Sequence, residues 1–69
     1  MNQEIKLLDA VALLKAIPAH NLKAGQVGTV VEVFGPSDFE VEFVDKQGRT
    51  IAMLPLKSAP KKFLSNGRI

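Results

Sequence analysis

The sequence predicts a small all-β domain, and two observations carry that prediction. Between Val27 and Leu56 apolar residues recur at every second position, the period of a pleated strand with one buried face. Two turn signals, Gly35-Pro36-Ser37-Asp38 and Asp45-Lys46-Gln47-Gly48, cut this stretch into three strands. Length sets the scale. A chain of 69 residues hides only about 60% of the surface its unfolded form exposes, so residues 1–69 make one domain that needs nearly every large apolar side chain for its core. With 46% hydrophobic and 23% charged residues, the composition is that of a folding chain.

Met1 to Ala16 admits two readings. Ile5, Leu8 and Ala12, or Leu7, Val11 and Leu14, would line one side of a helix, and Ala, Leu, Lys and Glu favour that state. Val11 and Leu13 also alternate as a strand requires, and hairpin-connected strands leave edges that a further strand would close. The residues by themselves leave helix and strand open.

The second element spans Gln26 to Phe34, where Val27, Thr29, Val31 and Val33 alternate with Gly28, Val30, Glu32 and Phe34. Gly25-Gln26-Val27-Gly28 leads into this strand, whereas phosphate-cradling loops lead into a helix, so the glycines fit a bulge or a close backbone approach at a corner. Phe39 to Val44 follows, with Phe39, Val41 and Phe43 on one face. Pairing Val33 with Val41 and Val31 with Phe43 makes Val31, Val33, Phe39, Val41 and Phe43 the core lining. Slipping the pairing by one residue would turn Glu32 inward, at a cost of several kcal/mol for an unpaired buried carboxylate. The chosen register leaves Pro36-Ser37-Asp38 as the loop, sets Glu32 opposite Glu42 and turns Phe34 outward beside Glu40.

Arg49 to Leu56 is the next strand, and Gly48 supplies the positive φ of a bulged hairpin. Pro55 has no N–H for a ladder, so the strand ends there or lies at an edge. With Thr50, Ala52 and Leu54 inward, Ile51 and Met53 emerge beside Glu42 and Glu40 near Phe34, as an apolar patch with acidic margins. A bulge at Gly48 would instead reverse the strand and bury Ile51 and Met53, and Phe63 with Leu64 would offer a cover for the patch from within the chain.

The inventory of reactive groups is short. There is no Cys, Trp or Tyr and one His, which excludes disulfides, thiolate zinc sites and cysteine nucleophiles. His20 sits in a loop without a nucleophile or further ligands, and Glu32, Glu40 and Glu42 stand on an open face without the pocket that shifts a pKa. The expectation is no enzyme, no cofactor and no metal. No apolar run approaches the roughly 20 residues that span a bilayer, and Met1-Asn2-Gln3-Glu4 lacks a basic leader, so the chain reads as cytoplasmic with no membrane partner.

Charge is unevenly placed. Met1 to Leu56 carries five basic residues against all seven acids, a balance of −2, while Lys57, Lys61, Lys62 and Arg68 give the remaining segment +4. Residues 57–69 thus form a basic C-terminal extension. Gly25 to Val33 is similar to the KOW element of ribosomal and transcription-associated small barrels, and the alternative function is a nucleic-acid-binding module using Lys57, Lys61, Lys62 and Arg68.

Leu7-Leu8-Asp9-Ala10-Val11-Ala12-Leu13-Leu14, the run from Ile17 to Val33, Phe39-Glu40-Val41-Glu42-Phe43 and Gly48-Arg49-Thr50 carry a resemblance that covers about Ile5 to Leu56. In their order and spacing the chain resembles a family of short bacterial, often cyanobacterial, proteins catalogued as a domain of unknown function with an SH3-like small barrel. The resemblance implies a strand for Leu7 to Leu14 and a long first loop from Ile17 to Gly25. With a last strand at Lys61 to Leu64, after a break at Pro60, the expected fold is a five-stranded SH3-like barrel. The stretch from Lys57 onward departs from the family, and no catalytic residue is carried over. Family members look like small accessory or partner-binding proteins, with toxin-like neighbours. The leading functional expectation is a noncatalytic protein-binding module, with Phe34, Ile51, Met53, His20 and Asn21 as the contact residues and a toxin-like or enzyme partner. Self-association through open strand edges is a further expectation.

Overall fold

The computed structural model describes residues 5–58 and the backbone of Leu64–Asn66. Its strands are β1 (Ala10–Leu13), β2 (Val27–Gly35), β3 (Asp38–Val44) and β4 (Thr50–Lys57), joined as an open antiparallel sheet in the order β4-β3-β2-β1. Leu64–Asn66 pairs antiparallel with the far side of β1. No α-helix occurs among the described residues; a single 3-10 turn covers Pro18–His20. Of the predicted last strand, Lys61 to Phe63 lie outside the described residues.

The N-terminal region is extended, and the helical reading fails for a local reason. Asp9 closes a turn on Lys6, its amide donating to the Lys6 carbonyl at 3.0 Å while its Oδ2 accepts from the Lys6 amide at 2.9 Å. Leu8 takes φ +70 within that turn, a left-handed conformation that no right-handed helix contains. The strand therefore starts at Ala10, later than the expected Leu7. Val11 and Leu13 point inward from it and are buried.

The first loop is anchored rather than free. Ile17 and Leu22 exchange backbone hydrogen bonds of 2.8 and 3.1 Å, and Leu22 is buried in the core. Asn21 ends the 3-10 turn with φ 57, a left-handed position that Asn tolerates better than most residues. Gly25 takes φ +87 and its amide donates to the Leu13 carbonyl at 2.7 Å, returning the chain alongside β1.

The phase of β2 is opposite to the expected one. Gly28 and Val30 face the core, Val31 is half-buried and Val33 is 43% exposed, so Val31 and Val33 are not core lining. Val30 pairs with Val41 and Thr29 with Glu42; after a bulge, Glu32 pairs with Glu40 and Val33 with Phe39. Excluding the slipped register assumed a straight ladder. The bulge places the extra residue Val31 in β2, so Val30 turns inward while Glu32 remains outside and no carboxylate is buried. Gly28 allows the close approach: a Cβ there would stand 2.7 Å from both Phe43 Cε1 and Val41 Cγ1. A second irregularity brings Gly35 opposite Asp38, so the hairpin loop is Pro36-Ser37 rather than Pro36-Ser37-Asp38.

The β3–β4 hairpin keeps the expected faces. Asp45 accepts from the Gly48 amide at 3.0 Å through its backbone carbonyl, with Gly48 at φ +82. A bulge is present, but it falls between Ala52 opposite Phe43 and Thr50 opposite Val44, so it turns Thr50 outward and leaves Ile51 and Met53 exposed. The core is wholly apolar: Val11, Leu13, Leu22, Val30, Phe39, Val41, Phe43, Ala52 and Leu56, with Ile5, Ile17 and Leu54 packed against it.

Candidate functional site

Strand β4 organises the exposed apolar surface. It terminates the sheet beyond β3, and Pro55 lies within it opposite Glu40, so the strand continues through Pro55 to Lys57 as an edge strand. Its inward residues Ala52, Leu54 and Leu56 hold it to the core. The alternate residues therefore face out. Met53, 50% exposed, lies opposite Glu42, and Ile51 is exposed beside the bulge.

Two open grooves of about 400 and 380 Å³ flank the end of this strand. The first is lined by Phe34, Asp38, Pro55, Leu56 and Lys57. The second is lined by Ile17, Ala19, His20, Leu54, Pro55, Leu56 and Lys57. Pro55, Leu56 and Lys57 are common to both, which makes this short segment a ridge between the first loop and the β2–β3 hairpin. Lys57 Nζ is fixed there by Asp38 Oδ1 at 2.7 Å.

Of the sequence-derived contact residues, Phe34 and His20 are thus brought to opposite sides of one ridge. Ile51 and Met53 stand further along β4: Phe34 lines the groove at the Asp38–Lys57 end with Pro55, Met53 is two residues or about 7 Å of strand from Pro55, and Ile51 is four residues or about 13 Å from it. The apolar groups expected as one patch are spread along the length of β4. Asn21 is exposed at the loop tip. Lys61, Lys62 and Arg68 lie outside the described residues. Sequence reasoning did not single out Ile17, Ala19 or Pro55 for contact; Pro55 carried a signal, an N–H missing from an otherwise regular strand pattern.

Electrostatically the outer face is acidic. Glu32 stands opposite Glu40, not Glu42 as the expected register had it, and Glu42 accepts a 2.6 Å hydrogen bond from Thr50 Oγ1. Asp45, in the β3–β4 turn, has a lowered pKa. It is held below the ordinary 3.8 first by the Arg49 amide that donates to it; desolvation is the next largest effect and opposes this, while the Gln47 amide, the Arg49 side chain and the Gly48 amide add to the lowering. No group of three His, Cys, Asp or Glu among the described residues is placed to hold a metal ion, and no helix among them is long and apolar enough to cross a membrane.

A family model described as a domain of unknown function (DUF4926) matches residues 7–61. The chain belongs to this family. The DUF4926 match runs from the Lys6–Asp9 turn through all of β4, so both grooves and the outer face lie within it, and it extends past Lys57, where a departure was expected, to residue 61. No curated protein and no solved structure matches the chain.

Proposed function

We propose that the chain is a noncatalytic protein-binding module built on an SH3-like small barrel. The single observation that carries the function is the exposure of Met53 and Ile51 on the outer face of a strand whose inner face is fully packed. Water-exposed large apolar groups on one side of a small domain are most economically explained by a partner that covers them. Met suits such a contact because its unbranched thioether adapts to different neighbours. The two grooves that meet at Pro55, Leu56 and Lys57 extend the surface available to the same partner. The module works by contact burial rather than by chemistry.

Support for the barrel comes from β2. It is the longest strand, it carries two register shifts, and bulges increase local twist, so its two halves can serve the two faces of a curled sheet. Pairing of β1 with β2 on one side and with Leu64–Asn66 on the other fits the strand order of such a fold. A nucleic-acid reading has less support, because Lys57 is engaged by Asp38 and the sheet face is acidic.

The test is comparative capture. Met53→Glu should abolish retention of the partner from the native host while lowering the midpoint of thermal unfolding by a few degrees at most, the cost of one exposed like-charge pair with Glu42, since the side chain already faces solvent. Unaltered capture would remove Met53 from the interface.

A further inference from the structure

The outer face has a property that apolar exposure does not explain. One row of register partners, Ala10, Thr29, Glu42 and Met53, crosses the whole sheet, and the next row sets Glu32 directly against Glu40. Like charges facing each other across a ladder repel. Neither Glu32 nor Glu40 takes part in the ion pairs seen among the described residues. Lys57 pairs with Asp38 and Arg49 with Asp45, so these two cations near the ends of β4 are engaged elsewhere. Glu42 is held only by the neutral hydroxyl of Thr50. Glu42 therefore lies directly beside the exposed Met53, Glu40 and Glu32 continue the acidic face in the neighbouring row, and the geometry does not gather them into a metal site among the described residues.

Resting on the protein-binding reading, we infer that the occupant of this face is a basic amphipathic segment of a partner protein. Its apolar side chains cover Met53 and Ile51, and its Lys or Arg side chains stand among Glu32, Glu40 and Glu42. Charge complementarity selects it. A nucleic acid or an acidic peptide would bring more negative charge against three carboxylates, whereas a cation placed there relieves the Glu32–Glu40 repulsion. Glu40 and Glu42 project from the same face of β3 about 7 Å apart, the distance between alternate side chains of an extended segment. The complex thus removes an unfavourable contact of the free domain while it buries apolar surface, and a ligand that binds only the folded state stabilises it.

The full chain, isotope-labelled, is titrated with two short synthetic peptides, one alternating Leu with Lys and one alternating Leu with Glu, at low and high salt. The Leu-Lys peptide should shift Thr29, Glu42, Ile51 and Met53, and salt should weaken it. The double variant Glu40→Gln, Glu42→Gln should weaken binding by about tenfold, near threefold for each exposed charge removed. A melting midpoint no lower than that of the parent would show that the loss is not unfolding, since Glu40→Gln relieves the repulsion by Glu32. Equal binding of both peptides at these residues overturns the charge inference and leaves the protein-binding reading intact. Shifts confined to Phe34 and His20, or no shifts with either peptide, overturn the inference. Shifts at this face that depend on the concentration of the chain alone assign it to a second copy and overturn it as well. Failure of the protein-binding reading is a separate result, seen when Met53→Glu leaves capture unchanged.

Discussion

Gly28→Ala tests the packing that sets the phase of β2. The added Cβ would lie 2.7 Å from Phe43 Cε1, 2.7 Å from Val41 Cγ1 and 2.9 Å from Phe43 Cδ1. Phe43 and Val41 are both completely buried, so neither has free space to move into. Overpacking of this kind costs about 1–3 kcal/mol. Against it, Ala restricts the unfolded chain and recovers about 0.5–1 kcal/mol relative to Gly in a strand. Because both neighbours are buried the upper part of that overpacking range, about 2–3 kcal/mol, applies, and the net loss is about 1–2.5 kcal/mol. For a domain of this length each kcal/mol moves the midpoint roughly 4–8 °C, so thermal unfolding followed by circular dichroism should show a Tm lower by about 4–20 °C. Phe43→Leu in the same background supplies the control. Removing the ring opens the space, and the double variant should lose less than the two single changes together, by about 0.5 kcal/mol or more. A Tm for Gly28→Ala equal to or above that of the parent would refute the argument, because the entropic gain would then act without a clash.

Other consequences can be measured separately. Val30→Ala should cost about 2 kcal/mol and Val33→Ala well under half of that in chemical unfolding, since Val30 is fully buried and Val33 is not; a reversed order would restore the straight register. Asp45 has a folded pKa below its ordinary 3.8, so its stabilising contribution is present above that value and disappears as pH falls through the folded pKa. The stability difference between the parent and Asp45→Asn, followed by unfolding at a series of pH values, should therefore be present at neutral pH and vanish in strong acid. Pro55→Thr adds an N–H to the middle of an edge strand, and sedimentation should show stronger self-association than in the parent; an unchanged distribution would mean that other features protect that edge.

Much of the architecture was legible before any coordinates. Alternation placed β3 and β4 within a residue of their bounds, the turn at Asp45 to Gly48 formed where Gly48 could take positive φ, and Pro55 marked the edge. The inward set Phe39, Val41 and Phe43 was also correct, because Asp38, Glu40 and Glu42 between them leave a single apolar face. In β2 the pattern is uninformative. Val30, Val31 and Val33 are all suited to a core, and period two cannot choose among them when an extra residue interrupts the period. The N-terminal strand was read only through family resemblance, since Leu, Ala and Val in short runs satisfy both periods.

What the sequence determined by itself is a run of strands from Val27 to Leu56 whose polar residues fix the outer face of β3 and whose glycines and prolines fix the turns. These are local choices, made by backbone conformations and by the cost of burying a charge. Tertiary structure decided the rest. Gly28 opposite the Phe43 ring, the bulge at Val31 and the partition of exposed apolar groups between the Met53 face and the Pro55 ridge depend on which surfaces meet. Contact between strands distant in sequence is settled by space filling, and a single chain read from end to end carries no measure of the space between its strands.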